Sequence, residues 1–60
     1  MASRNLIVGD LVEKRTGDYT FDGIVCAVII KRSGARRVAV ENDAGMIHIF
    51  SESQLQLKGE

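Results

Sequence analysis

Phe21-Asp22-Gly23-Ile24-Val25-Cys26-Ala27-Val28-Ile29-Ile30-Lys31 is the stretch that decides the fold. Successive side chains of an extended chain point to opposite faces, so Ile24, Cys26, Val28 and Ile30 share one face and Val25, Ala27 and Ile29 the other. The run is rich in β-branched residues, which predicts a long strand, and Arg32-Ser33-Gly34-Ala35 after it reads as a turn. Both faces of this strand are apolar, whereas a small barrel can bury only one. An apolar outer face on a soluble chain predicts a protein interface, here a homo-oligomer. Sheltering several such side chains, at about 25 cal/mol per Å², rivals the whole stability of so small a domain. The alternative is a twist or bulge near Gly23 that turns both faces partly inward.

Working outward, turns and short alternating runs follow at regular intervals. Leu6 to Lys14 reads as a first strand interrupted at Gly9-Asp10, with Thr16-Gly17-Asp18 as the next turn. Arg36 to Glu41 is a third strand, Asn42-Asp43-Ala44-Gly45 a hairpin loop and Met46 to Phe50 a fourth strand. Ser51-Glu52-Ser53-Gln54 suits a single helical or 3₁₀ turn, and Leu55 to Leu57 a short closing strand. Five short strands with tight turns predict an all-β fold, a small five-stranded SH3-like barrel over residues 6–57, since closure removes the edges of an open sheet. Residues 1–5 and 58–60 are expected to be tails.

Composition narrows the function classes. A domain of 60 residues buries only about 60% of the surface its unfolded chain exposes, so a deep private active-site cleft is not expected. Cys26, the single cysteine, can form no internal disulfide, and with one histidine it cannot complete a four-ligand zinc site; it reads as a small apolar residue. Oligomerisation is the remaining way to reinforce a thin core. Eight basic and eight acidic residues give a formal net charge of zero, which argues against a non-specific nucleic-acid binder. The start Met1-Ala2-Ser3-Arg4-Asn5 lacks the apolar core of a signal peptide, and no apolar run approaches the roughly 18 residues of a membrane span, so a cytoplasmic, soluble protein is expected.

Few groups on the chain can do chemistry, and Gly45-Met46-Ile47-His48-Ile49-Phe50 places the only histidine beside one of three aromatic residues. A lone histidine between isoleucines is ordinarily a half-buried structural residue. An oligomer changes that weighing, because it repeats the side chain around an axis and concentrates it. Phe21 and Phe50 are ordinarily core in a chain with so few aromatics, and Lys14 with Arg15 is ordinarily a solvated pair.

Gly9-Asp10-Leu11-Val12-Glu13-Lys14-Arg15-Thr16-Gly17, Phe21-Asp22-Gly23-Ile24-Val25, Val38-Ala39-Val40-Glu41 and Gly45-Met46-Ile47-His48-Ile49-Phe50 through Leu55 resemble successive blocks of the type II dihydrofolate reductases, the small plasmid-borne enzymes of trimethoprim resistance. The resemblance spans about positions 8 to 55, with a short length difference around Asp18 to Thr20. It implies an SH3-like barrel assembled into a homotetramer, with one central pore in which dihydrofolate and NADPH meet. The family's pore strand reads Val-Gln-Ile-Tyr, and Ile47, His48, Ile49 and Phe50 match it here. The serine ahead of that strand corresponds to Met46. The pore-mouth lysine, which holds the anionic tails and phosphates of the ligands, corresponds to Lys14, with Arg15 next to it. The aromatic residue ahead of the Gly-x-Ile-Val block corresponds to Phe21.

The resemblance thus implies catalytic positions at His48 and Phe50, NADPH contacts at Lys14, Met46, Ile47 and Ile49, and dihydrofolate contacts at Lys14, His48, Ile49 and Phe50. Hydride transfer needs no side-chain nucleophile, because the reactive atom belongs to the cofactor, and rings held face to face can react by proximity. Imidazole donates or accepts a hydrogen bond, so His48 can imitate the glutamine amide. Phe50 keeps the tyrosine ring and loses one donor, worth about 1 kcal/mol of binding. The proton would come from solvent.

The competing class is a binding module, since small barrels serve many unrelated tasks. Arg32, Arg36 and Arg37, with Lys31 nearby, are placed to contact a phosphate backbone or an acidic partner. The zero net charge and the lack of an exposed aromatic row weigh against nucleic acid.

Overall fold

A computed structural model describes residues 5–58. Five strands run in chain order: β1 (Leu11–Lys14), β2 (Phe21–Ile30), β3 (Arg36–Glu41), β4 (Ile47–Ser51) and β5 (Leu55–Leu57), with a 3₁₀ turn at Glu52–Gln54 ahead of the last. They form one antiparallel sheet in the order β4-β3-β2-β1-β5. The all-β class and the five strands are as expected, but the closure is not made: β4 and β5 end the sheet on opposite sides with no ladder between them. The three-residue 3₁₀ turn carries the chain from one edge strand to the other, and both edges are kept short.

All five strands nevertheless share one core. Val12, Val25, Val38 and Val40 are fully buried, joined by Leu6, Phe21 and Phe50, with Val28, Leu55 and Leu57 packed against them. The register explains this. Leu57–Val12–Gly23, Leu55–Lys14–Phe21, Val25–Val40–His48 and Val28–Val38–Phe50 lie in rows on the inner face, and the alternate residues form the outer face.

A β-bulge explains the two-faced apolar strand in part. The register of β2 against β3 shifts between Val25 and Ala27, so Cys26 is the extra residue, exposed, its thiol directed at the Ala39 carbonyl at 3.4 Å. The bulge reverses the phase of the strand, so Val25 points inward before it and Val28 inward after it. Val28 therefore leaves the face that strict alternation assigns it with Ile24 and Cys26. Ile24 and Ile29 remain outside, 49% and 41% exposed.

The first strand is shorter than the sequence suggested. Asp10 closes a turn, its N–H donating to the Ile7 carbonyl at 3.1 Å and its carboxylate accepting from the Ile7 N–H at 2.9 Å, while Gly9 takes φ 99°. Only glycine adopts such an angle cheaply, so the chain cannot run extended from Leu6 to Lys14. Lys58, expected in a tail, is fastened by its N–H to the Leu11 carbonyl at 2.9 Å and by its ammonium to Asp22 at 2.6 Å.

Arg36 and Glu52 clamp the segment ahead of β1. Glu52 accepts from Arg36 Nε at 3.0 Å and from the Leu6 N–H at 2.8 Å, and Arg36 Nη2 donates to the Leu6 carbonyl at 3.0 Å. Removing the carboxylate leaves Nε of a half-buried guanidinium and the amide of a buried residue without partners. Glu52→Ala is therefore expected to cost about 1–3 kcal/mol, read as a lower urea midpoint at unchanged slope.

Candidate functional site

β4 has a neighbour on one side only, so half its peptide groups face an open edge. The Asn42 N–H donates to the Met46 carbonyl at 3.0 Å, and the ladder continues without interruption from Glu41↔Ile47 to Arg37↔Ser51. In an antiparallel pair, hydrogen-bonded and non-hydrogen-bonded positions alternate, which makes 42/46, 40/48 and 38/50 the bonded pairs. The N–H and C=O groups of Ile47 and Ile49 therefore point away from β3, to the open side.

The side chains of the same strand divide by face. Ile47 and Ile49 stand on the outer face, exposed like Met46 ahead of them, whereas His48 and Phe50 point inward. Phe50 is buried in the core, as an aromatic in so small a chain ordinarily is, and its ring is not open to a ligand in this chain.

His48 lies at the margin of that core among aromatic rings. It stacks on Phe21 with centroids 4.4 Å apart and planes 16° from parallel, and Tyr19 meets it edge-on at 6.1 Å with its hydroxyl 3.4 Å from Nδ1. Phe50 backs both rings, 6.0 Å from His48 and 5.4 Å from Phe21. The sequence reading missed Tyr19. Its signal was its spacing, two residues before Phe21, which puts two aromatic rings on one side of an extended segment.

Lys14, which beside Arg15 is ordinarily half of a solvated pair, is instead buried. It sits on the inner row with Phe21 and Leu55, 4% exposed, and its ammonium donates to the Thr16 and Tyr19 carbonyls, the latter at 2.9 Å. The same ammonium lies 4.1 Å from the centre of the Tyr19 ring. Gly17, at φ 88°, is needed beneath it, since a Cβ there would stand 3.0 Å from the Lys14 nitrogen. Arg15 points outward instead, 68% exposed and paired with Glu13 at 3.2 Å. Both border a shallow hollow of about 250 Å³ with Glu13, Thr20, Phe21 and Asp22. The Lys58 ammonium, by hydrogen bond and then by charge, holds the Asp22 carboxyl below the usual carboxylate range.

The basic residues around the second hairpin are partly engaged, Arg36 with Glu52 and Arg37 with the Ser51 hydroxyl. Among the described residues no group of three or more His, Cys, Asp or Glu side chains could hold a metal ion, and no helix is long and apolar enough to cross a membrane. Fold and site together define a small all-β protein with an aromatic cluster beside an open edge strand. No known family model, curated protein or solved structure matches the chain.

Proposed function

We propose that the chain is the protomer of a cytoplasmic homotetramer that reduces dihydrofolate with NADPH, on the plan of the type II enzymes and without sensitivity to trimethoprim. The observation that carries this reading is the open edge of β4, where the peptide groups of Ile47 and Ile49 face outward on either side of His48. A nicotinamide carboxamide offers one donor and one acceptor side by side, and a free strand edge offers the complementary pair. NADPH would supply the hydride for the pteridine ring, and the accompanying proton would come from solvent.

The chain's own contribution is to bind and orient. The Ile47 and Ile49 backbone fixes the carboxamide, Met46 and the two isoleucine side chains exclude water, and His48 presents Nε2 while Phe21 and Tyr19 fix its ring. Arg15, with its guanidinium in solvent, takes the part of attracting phosphates and carboxylates, and Lys14 holds the loop behind it.

The test is NADPH oxidation with dihydrofolate, with and without trimethoprim, on protein whose mass in solution is measured in the same run. Turnover by a tetramer, unaffected by trimethoprim and reduced about tenfold or more in His48→Ala, is the expected result, since one lost orienting hydrogen bond is worth about 1.4 kcal/mol. A tetramer that neither binds nor oxidises NADPH would overturn the reading.

A further inference from the structure

The outer face of the sheet holds two charges that, among the described residues, have no opposite charge paired with them, set in an apolar surround. The outward residues of β3, the middle strand of this face, are Arg37, Ala39 and Glu41. Beside them in the same rows lie Leu11, Ile24 and Ile47 at the Glu41 level, Ala27 and Ile49 at the Ala39 level, and Ile29 at the Arg37 level. Leu11, Ile24, Ile29, Ile47 and Ile49 are 41–60% exposed. Arg37 donates to the Ser51 hydroxyl but pairs with no carboxylate, and Glu41 pairs with no cation, among the described residues.

We propose that this face is an isologous interface between two copies of the chain, related by a two-fold axis that passes over Ala39, parallel to the sheet and perpendicular to β3. A two-fold axis sets the same patch against itself, so whatever stands above the axis in one copy meets what stands below it in the other. Arg37 and Glu41 are equidistant from Ala39 along the strand, about 7 Å on either side at roughly 3.4 Å per residue. The operation therefore brings Arg37 of each copy to Glu41 of the other and forms two ion pairs at once. Ala39 at the centre is the smallest side chain of the three, which lets the flanking isoleucines of the two copies reach one another. A guanidinium already held by Ser51 keeps N–H groups for a carboxylate. Other occupants fit less well: an acidic or a basic partner would match one of the two charges and oppose the other. This interface stands on the outer face alone and holds whether or not the protein reduces dihydrofolate.

Charge reversal tests it by sedimentation or light scattering at micromolar concentration, with circular dichroism to confirm folding. Arg37→Glu sets two acids against each other at both symmetry-related contacts, and Glu41→Arg sets two bases; each is expected to weaken the dimer about 100-fold or more, because like charges across an interface are strongly unfavourable. The double reversal restores Arg–Glu pairing and self-association. Mixing the two single variants is the sharper experiment: every contact between unlike copies is then complementary, so an assembly holding the two variants in equal numbers is expected, larger than either variant forms alone. A monomeric wild-type protein, or single variants that associate as well as wild type, would overturn the proposal, and so would a mixture that grows no larger than the separate variants.

Discussion

Gly23→Ala is expected to remove a large share of the stability of the fold. A Cβ at position 23 would stand 2.0 Å from the Glu41 carbonyl oxygen and 2.7 Å from its carbon, with the Asn42 Cα at 3.1 Å. These are backbone atoms and cannot rotate out of the way, so β2 and β3 have to part where the third strand enters its hairpin. Overpacking a core commonly costs about 1–3 kcal/mol, and a contact with backbone belongs at or above the top of that range. At about 0.05–0.15 kcal/mol per residue the whole domain holds only some 3–9 kcal/mol, so the substitution removes a large share of it. Gly34→Ala is the matching control. That glycine has φ 91° with open space around it, so the change introduces backbone strain of about 1–2 kcal/mol and no clash. Thermal scans of the two variants by circular dichroism should show both melting below wild type, with Gly23→Ala lowered by more than about ten degrees and Gly34→Ala by less. A Gly23→Ala variant melting within a few degrees of wild type would show that the two strands can separate at little cost.

The contrast between those glycines shows what was legible in the sequence. Strand periods and turn chemistry are local, and Arg36–Glu41, the 3₁₀ turn and Leu55–Leu57 follow from them. A bulge was the alternative reading of this strand, near Gly23, but its place at Cys26 was not legible, because residues 24–30 are apolar throughout and such a run carries no phase from which to tell inside from outside. The seam between β4 and β5 depends on how the sheet curls, which no single segment encodes. At the site, His48 could be picked out as the only histidine, and its inward direction followed from alternation. Its partners could not, since Phe21 and Tyr19 lie more than 25 residues away and meet it only when the loop between β1 and β2 brings them against the inner face of β4. Phe50 as core was the ordinary expectation and is what the structure has. Lys14 misled for a different reason. A lysine is almost never buried unless it is fully partnered, and its partners here are two loop carbonyls that lack a side-chain signature.

That burial makes Lys14→Met the variant that separates a ligand-binding lysine from a structural one. Methionine keeps the unbranched apolar stem but offers no donor, so the Thr16 and Tyr19 carbonyls lose the group that gathers them, and the Tyr19 ring loses the cation beneath it. Losing these two part-buried hydrogen bonds is expected to cost about 1–3 kcal/mol. The loss should appear as a lower denaturation midpoint and as faster amide exchange over residues 15–20. Tyr19 is carried on that loop, so its edge-on contact with His48 should also loosen, visible as a narrower spread of aromatic proton shifts. Arg15→Gln supplies the opposite pattern: its guanidinium is in solvent, so stability should stay within about 0.5 kcal/mol of wild type, and any effect on phosphate-bearing ligands should fade as salt is raised. If Lys14→Met instead left stability untouched and weakened only ligand binding, in a salt-dependent way, the ammonium would have to leave its two carbonyls in solution and face the ligand itself. The two variants therefore assign the basic pair at the end of β1 by the order in which stability and affinity respond, and the geometry expects stability from Lys14 and affinity from Arg15.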